Sequence, residues 1–170
     1  MSIYYIYQNM ERCIGCHACE LHCKTEHDVP LGPQLGKIIG VGPRIIDNIP
    51  RINFVFLSCF HCEKPWCIGI CPTGAMKKRQ KDGIVFVDEE LCVGCKACIK
   101  ACPWGMPQWN DETGKVMKCD YCRHRIDEGL EPACVAGCTT KALFWITPHE
   151  ASRLKREKIA KEIAEYYMHF

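Results

Sequence analysis

Sixteen of the 170 residues are cysteines, and they fall into four groups of four with none left over. The groups are Cys13, Cys16, Cys19 and Cys23; Cys59, Cys62, Cys67 and Cys71; Cys92, Cys95, Cys98 and Cys102; and Cys119, Cys122, Cys134 and Cys138. Disulfide pairing does not demand such grouping, whereas metal binding does. The opening stretch MSIYYIYQNMERC has no basic start, no sustained apolar core and no twin arginine, so nothing in it marks the chain for export. A reducing cytoplasm is expected, and there cysteine serves metals rather than disulfides.

The spacing discriminates between metals. Zinc sites normally take paired C-x2-C units, two thiolates and two. Here Cys92, Cys95 and Cys98, like Cys13, Cys16 and Cys19, bring three thiolates from one tight loop. That suits three corners of an iron–sulfur cubane and leaves the fourth corner to a distant residue. With Cys102 and Pro103 the run reads CVGCKACIKACP, which is the C-x2-C-x2-C-x3-C-P run of bacterial ferredoxins. In that run the last cysteine ligates a second cluster, and Cys98 and Cys102 stand about one helical turn, roughly 6 Å, apart. Gly15 and Gly94 fit a backbone wrapped closely around a sulfide, where a Cβ would intrude.

Elements that position these groups are legible around them. Ile3 to Gln8 is rich in aromatic and β-branched residues and reads as a strand leading to the first group. YYIYQNMERCIGCHACELHC aligns with GIVFVDEELCVGCKACIKAC, with all four cysteines and Gly15 on Gly94 in register, so the chain contains an internal repeat. Arg51 to Leu57 is a second strand, delivering Cys59 to Cys71. Asp82-Gly83 marks a hairpin before the third group, and a turn near Gly114 marks another before the fourth. Ala142 to Ile146 is a closing strand. Thr147-Pro148-His149-Glu150 then fits a capping box, opening a helix to about Met168 that is expected to pack on the surface. Between Lys24 and Pro50 four glycines and four prolines argue against long regular elements. Ile38, Ile39, Val41, Ile45, Ile46 and Ile49 make that stretch too apolar for a free linker. It reads either as an ordered loop over the protein's own surface or as a docking surface for another subunit.

Composition excludes several classes. The formal charge of +2 counts every cysteine as a neutral thiol. Four clusters, each carrying about −2 with its thiolates, would bring the total to about −6. The densest basic run, Lys77, Lys78, Arg79 and Lys81, lies beside a turn and reads as a solvated hairpin face, so no nucleic-acid partner is expected. No apolar run approaches the roughly 18 to 20 residues of a membrane span. No phosphate-binding glycine motif or nucleophile elbow occurs, and no catalytic residue is assigned.

Over almost its whole length the chain resembles the four-cluster iron–sulfur subunits that accompany molybdenum or tungsten pterin oxidoreductases, including the dimethyl sulfoxide reductase and formate dehydrogenase families. Similar subunits accompany tungsten enzymes of the aldehyde oxidoreductase type, such as class II benzoyl-CoA reductase, and others serve hydrogenases and carbon monoxide dehydrogenase. The resemblance implies an α+β fold of two ferredoxin-like modules, one inserted in the other. Residues 1–50 and 104–147 form the outer module, 51–103 the inner, and 148–170 the C-terminal helix. It further implies four [4Fe–4S] clusters. One takes Cys13, Cys16, Cys19 and Cys138; its neighbour takes Cys119, Cys122, Cys134 and Cys23. In the inner module one takes Cys59, Cys62, Cys67 and Cys102, and the other Cys92, Cys95, Cys98 and Cys71. Two departures stand out. Many relatives carry an export signal or a membrane helix, and neither is evident here, which favours a cytoplasmic complex. Lys24 and Thr139 replace the proline that follows the last cysteine of the inner groups, so the outer connections should differ.

The function expected is that of a non-catalytic electron-transfer subunit, a wire between the active site of a molybdenum or tungsten pterin enzyme and another redox partner or carrier subunit. The alternatives are a freely diffusing polyferredoxin, a carrier for a hydrogenase or carbon monoxide dehydrogenase, and a zinc-binding interaction module. His17, His22, His61 and His124 lie beside ligands and read as shell or surface residues. Trp66, Trp104, Trp109 and Trp145 are expected to shield clusters from water.

Overall fold

A computed structural model describes residues 4–168. Met1 to Ile3, where the first strand was expected to begin, and the last two residues of the expected helical segment lie outside the described residues. The chain alternates short strands and short helices, an α+β arrangement of four two-stranded antiparallel sheets and six helices among the described residues. β1 (Tyr5–Gln8) pairs with the closing strand β8 (Leu143–Ile146), Tyr5 opposite Ile146 and Gln8 opposite Leu143. The two ends of the fold are thus tied together. α1 (Ala18–Glu26) follows, then the hairpin of β2 (Gly36–Ile46) and β3 (Ile49–Ser58). Next come α2 (Trp66–Gly69), the hairpin of β4 (Met76–Lys78) and β5 (Val85–Val87), and α3 (Ala97–Ala101). β6 (Gln108–Asn110) pairs with β7 (Lys115–Met117), and α4 (Arg123–Asp127), α5 (Ala133–Ala136), β8 and α6 (Pro148–Met168) complete the order.

The expectation that glycine and proline break up residues 24–50 fails over its second half, where β2 runs for eleven residues. A two-stranded ribbon leaves one edge of each strand unpaired, so a proline there need not cost a ladder bond. Pro43 follows a cis peptide bond and sits in the irregularity between Val41 and Arg44. The turn at Asp47 and Asn48 has φ of +52° and +59°, as the tightest hairpin turns require. At its base the ribbon is locked to the body. Gln8 donates from Nε2 to the Phe54 carbonyl and accepts from Phe56 N–H, each at 2.8 Å, while Glu20 accepts from Ile38 N–H. The paired Ile38 and Phe56 are buried; Val41, Ile45, Ile46, Ile49 and Ile52 farther out are exposed.

The apolar core is small and built around sulfur. Cys19, Cys134 and Cys138 are buried with Ile38, Phe56, Val135, Ala142 and Leu143. Cys23, Cys59 and Cys119 are buried with Val29, Leu35, Ile84 and Tyr121, and Cys98 with Met76 and Val116. Each group of packed apolar residues includes cysteines, so a chain of this size rests its stability partly on what those thiols hold.

α6 opens on the expected capping box: Thr147 N–H donates to Glu150 Oε2 at 2.8 Å, and Glu150 N–H to Thr147 Oγ1 at 3.3 Å. Its first turn is the part that buries a residue, Ala151; Lys155 to Met168 are all exposed, with Lys158 reaching back to Glu11 at 2.6 Å. The expected packing along the surface is therefore corrected. The sequence from Lys155 is strongly charged, and Ile159 and Ile163 are too few to hold a helix against the body.

Candidate metal centres

Two loops present the repeated motif in nearly the same conformation. Gly15 and His17 have φ of +67° and +59°, and their counterparts Gly94 and Lys96 have +68° and +61°. Left-handed residues in a tight turn are how backbone N–H groups come to line an anion-binding concavity. The glycines have a further reason besides the expected approach to a sulfide. A Cβ at Gly15 would meet the Phe54 ring at 2.5 Å, and one at Gly94 the Gly114 carbonyl oxygen at 2.5 Å.

From these loops α1 carries Cys19 and Cys23 on successive turns, and α3 carries Cys98 with Cys102 at its C-cap. α1 packs on α5, which bears Cys134 and leads to Cys138; α3 packs on α2, which bears Cys67 and leads to Cys71. The two helix pairs are counterparts. They differ where the sequence departs from the ferredoxin run: Pro103 stops the inner helix at Ala101, whereas Lys24 lets α1 continue to Glu26. Gly137 allows the close approach of α5 to α1, since a Cβ there would meet the His22 ring at 2.1 Å.

The thiols converge in sets drawn from different groups. Cys59, Cys62, Cys67 and Cys102 line one cavity of about 250 Å³, together with Trp66, Trp104 and Lys118. Cys71, Cys92, Cys95 and Cys98 line a smaller recess beside Met76 and Val116. In the other half Cys19 feels Cys138 and Cys13, and the exposed Cys16 lies 3.8 Å from the hydroxyl of Thr139, next to Cys138. Cys134 feels Cys119, Cys23 and Cys122. No group of three or more His, Cys, Asp and Glu among the described residues is arranged to hold a single metal ion. A cavity ringed by four sulfurs suits a polynuclear cluster.

Burial dominates the electrostatics of these thiols. It pushes Cys19 and Cys23 up to about 12 and Cys98 and Cys122 up to about 11, and raises Cys119 and Cys134 well above the ordinary thiol value. Cys71 goes the other way: burial is the largest single effect and raises it, but the N–H groups of Met76, Thr73 and Ala75 and the Thr73 hydroxyl together outweigh this and lower it. Ligation requires the thiolate, so a cationic iron–sulfur core must displace protons that the buried apo sites hold tightly. Backbone donors already aim at sulfur, from Ala142 to Cys138 at 3.1 Å, Ala133 to Cys122 at 3.4 Å and Met106 to Cys102 at 3.5 Å.

Around the thiols the structure distinguishes residues that spacing treats alike. His17 and His124 are exposed and hydrogen-bonded to Glu20 and Glu26, and His22 is exposed. His61 is partly buried, accepts from Val85 N–H at 2.9 Å and lies tilted against Tyr121 with ring centroids 3.7 Å apart. His27, which the sequence did not single out, lies 3.2 Å from Cys122 Sγ, and burial holds its pKa below the ordinary value. The tryptophans divide as well: Trp66 and Trp104 line the first cavity but stay more than half exposed, whereas Trp109 packs near Cys98 and Trp145 against Tyr121. The basic run is more than a solvated face. Arg79 pairs with Asp82 and Asp127, Lys77 with Asp88, and Lys78 donates to the carbonyls of Cys62 and Glu63.

Residues 51–146 match the family model described as a 4Fe-4S dicluster domain, and residues 10–26 match one described as a 4Fe-4S binding domain. The protein belongs to the 4Fe-4S dicluster family. The two matched spans contain all sixteen cysteines. Among family relatives it is 40% identical over 166 residues to the probable anaerobic dimethyl sulfoxide reductase chain YnfG of Escherichia coli, covering 92% of this protein and 79% of that one. It is 42% identical over 147 residues to the B subunit of the anaerobic dimethyl sulfoxide reductase of the same organism, covering 82% and 71%. It is 41% identical over 142 residues to the thiosulfate reductase electron transfer subunit PhsB of Salmonella typhi, covering 82% and 73%. These dicluster relatives are the iron–sulfur or electron-transfer subunits of reductase complexes, not the catalytic ones, which bears out the resemblance read from the cysteine groups and the expectation of a non-catalytic subunit.

Proposed function

We propose that this chain is the electron-transfer subunit of a molybdenum or tungsten pterin oxidoreductase complex and carries four [4Fe–4S] clusters as a wire between the catalytic subunit and a second redox partner. The observation that carries the reading is the cavity lined by Cys59, Cys62, Cys67 and Cys102, three thiols of one group and the last of another, as an exchanged fourth ligand demands. The recess of Cys71, Cys92, Cys95 and Cys98 repeats that exchange in reverse. Cys13, Cys16, Cys19 and Cys138, and Cys119, Cys122, Cys134 and Cys23, are the corresponding outer sets. Each cluster supplies a one-electron carrier when bound; the chain holds the clusters in order and aims backbone N–H groups at their thiolates.

Pairing of the first and last strands supports an outer module of residues 1–50 and 104–147 enclosing an inner module of 51–103. Adjacency runs along the sets. α1 and α5 link the two outer sets, α2 and α3 the two inner ones, and Cys119 with Cys59 joins outer to inner. The cysteine usage supports a complex in a reducing cytoplasm; no helix of the described residues is long and apolar enough to cross a membrane. Anaerobic purification from the native source tests the proposal: about sixteen irons per chain, acid-labile sulfide, and a co-purifying chain with molybdenum or tungsten are expected. Recovery of the chain alone with its clusters intact and neither metal present would establish a free polyferredoxin instead.

A further inference from the structure

Where the second and fourth cysteine groups meet, the structure buries one unpaired positive charge. Lys118 precedes Cys119 and is 6% exposed, the one charged residue buried among those described. Its ammonium donates to two carbonyl oxygens, those of Val85 and Cys119, and no carboxylate pairs with it among the described residues. The same residue lines the cavity of Cys59, Cys62, Cys67 and Cys102. It adjoins Cys119 in the chain and shares a cavity with Cys67, two thiols of different ligand sets. Beside it Val85 N–H donates to His61 Nδ1, and His61 Nε2 is buried without a partner.

A buried ammonium with only neutral acceptors is costly unless an anion compensates it. Glu26, Asp28, Glu89 and Asp120 line a second cavity that Lys118 also borders, but none lies within ion-pair distance of its ammonium; the clusters would supply the anions on its other side. Resting on the four-cluster reading above, we propose that Lys118 is a charge-setting residue of the electron path, whose ammonium raises the reduction potential of the cluster held by Cys59, Cys62, Cys67 and Cys102 and, to a lesser extent, of that held by Cys119, Cys122, Cys134 and Cys23. The step is the arrival of one electron from a neighbouring cluster or a redox partner. It takes the total charge of cluster and thiolates from about −2 to about −3, with no bond or proton changing place. A fixed cation stabilises the more negative state, so an electron resides longer at the junction of the modules than it would beside a neutral side chain.

The test is an anaerobic redox titration of the purified complex, followed by electron paramagnetic resonance, for the wild type, Lys118→Met and Lys118→Arg. Lys118→Met is expected to lower the reduction equilibrium of one or both junction clusters at least tenfold, about 59 mV for a one-electron couple, leaving the other two unmoved. Lys118→Arg keeps the charge and should stay within threefold of the wild type. A fully loaded Met variant with unchanged potentials overturns the proposal, and so does an equal fall in the Met and Arg variants, which would mark a packing effect. If Lys118→Met fails to take up iron, Lys118→Gln retains a donor for the carbonyls and is titrated instead, with the same fall expected. Loading of the Arg variant alone supports a required charge, and loading of none of the three overturns it. A wild-type complex with fewer than four one-electron couples would instead refute the four-cluster reading.

Discussion

Gly94→Ala tests whether the repeated motif depends on backbone geometry as the structure implies. Gly94 has φ of +68°, a conformation that costs a residue with a Cβ about 1–2 kcal/mol. The new Cβ would also sit 2.5 Å from the Gly114 carbonyl oxygen and 3.2 Å from the Trp109 ring. Because the nearer contact is backbone in a hairpin turn, it cannot swing aside, and overpacking adds about 1–3 kcal/mol. A total of about 2–5 kcal/mol is a large part of the 5–15 kcal/mol typical of a domain. Gly15 is its counterpart at φ +67°, but there the clash is with the Phe54 side chain. Gly15→Ala should therefore couple to Phe54→Ala in a double-mutant cycle by about 1–3 kcal/mol, a size usual for residues in contact, whereas Gly94→Ala should show no coupling to Phe54→Ala. The assay is anaerobic urea unfolding of the loaded protein, read by cluster absorbance and iron content. Wild-type stability for Gly94→Ala, or strict additivity of Gly15→Ala with Phe54→Ala, would refute the reasoning.

At the start of α6, Thr147→Ala should cost about 1 kcal/mol, seen as faster amide exchange in the first turns of that helix with iron content unchanged. The Thr147 N–H and hydroxyl hold the Glu150 carboxyl below its ordinary value of 4.5. Its folded value is the lower one, so the cap contributes fully above pH 4.5 and fades as pH falls through the lowered folded value; protection factors in α6, corrected for the intrinsic pH dependence of exchange, should fall in acid, and pH-independent protection would contradict the cap. In the cluster-free chain Cys71, lowered by its ring of N–H donors, should be alkylated by iodoacetamide before Cys19 and Cys98, which burial pushes up to about 12 and about 11. Peptide mass spectrometry over a time course reads the order, and simultaneous modification would rule out that difference in thiolate character.

Much of the site was legible because cluster chemistry constrains covalent spacing. Three thiols on one tight loop are set three positions apart, and an exchanged fourth one helical turn farther on, so Cys92 to Cys102 and Cys13 to Cys23 carry their chemistry in one dimension. The capping box at Thr147 and Glu150 and the turns at Asp82-Gly83 and Gly114 are equally local, and the structure forms them as expected. In the ribbon, β3 falls where Arg51 to Leu57 was read as a strand, but β2 was illegible because counting glycines and prolines ignores strand edges, where a missing N–H need not break the ladder. The exposure of α6 beyond Lys155 was missed for another reason: a capping box specifies where a helix starts and says nothing of what covers it.

The sequence by itself determined the metal chemistry, the repeat and the loop conformations, since each depends on residues within a few positions of one another. Only the tertiary structure decided which elements meet: that β1 closes on β8, that Gly137 admits the His22 ring, and that Tyr121 lies against His61 sixty residues away. The same holds for Lys118, which in the chain is one more lysine beside a cysteine. Its lack of a carboxylate partner follows from packing alone, because burial and the choice of acceptor are properties of the surroundings that distant segments provide.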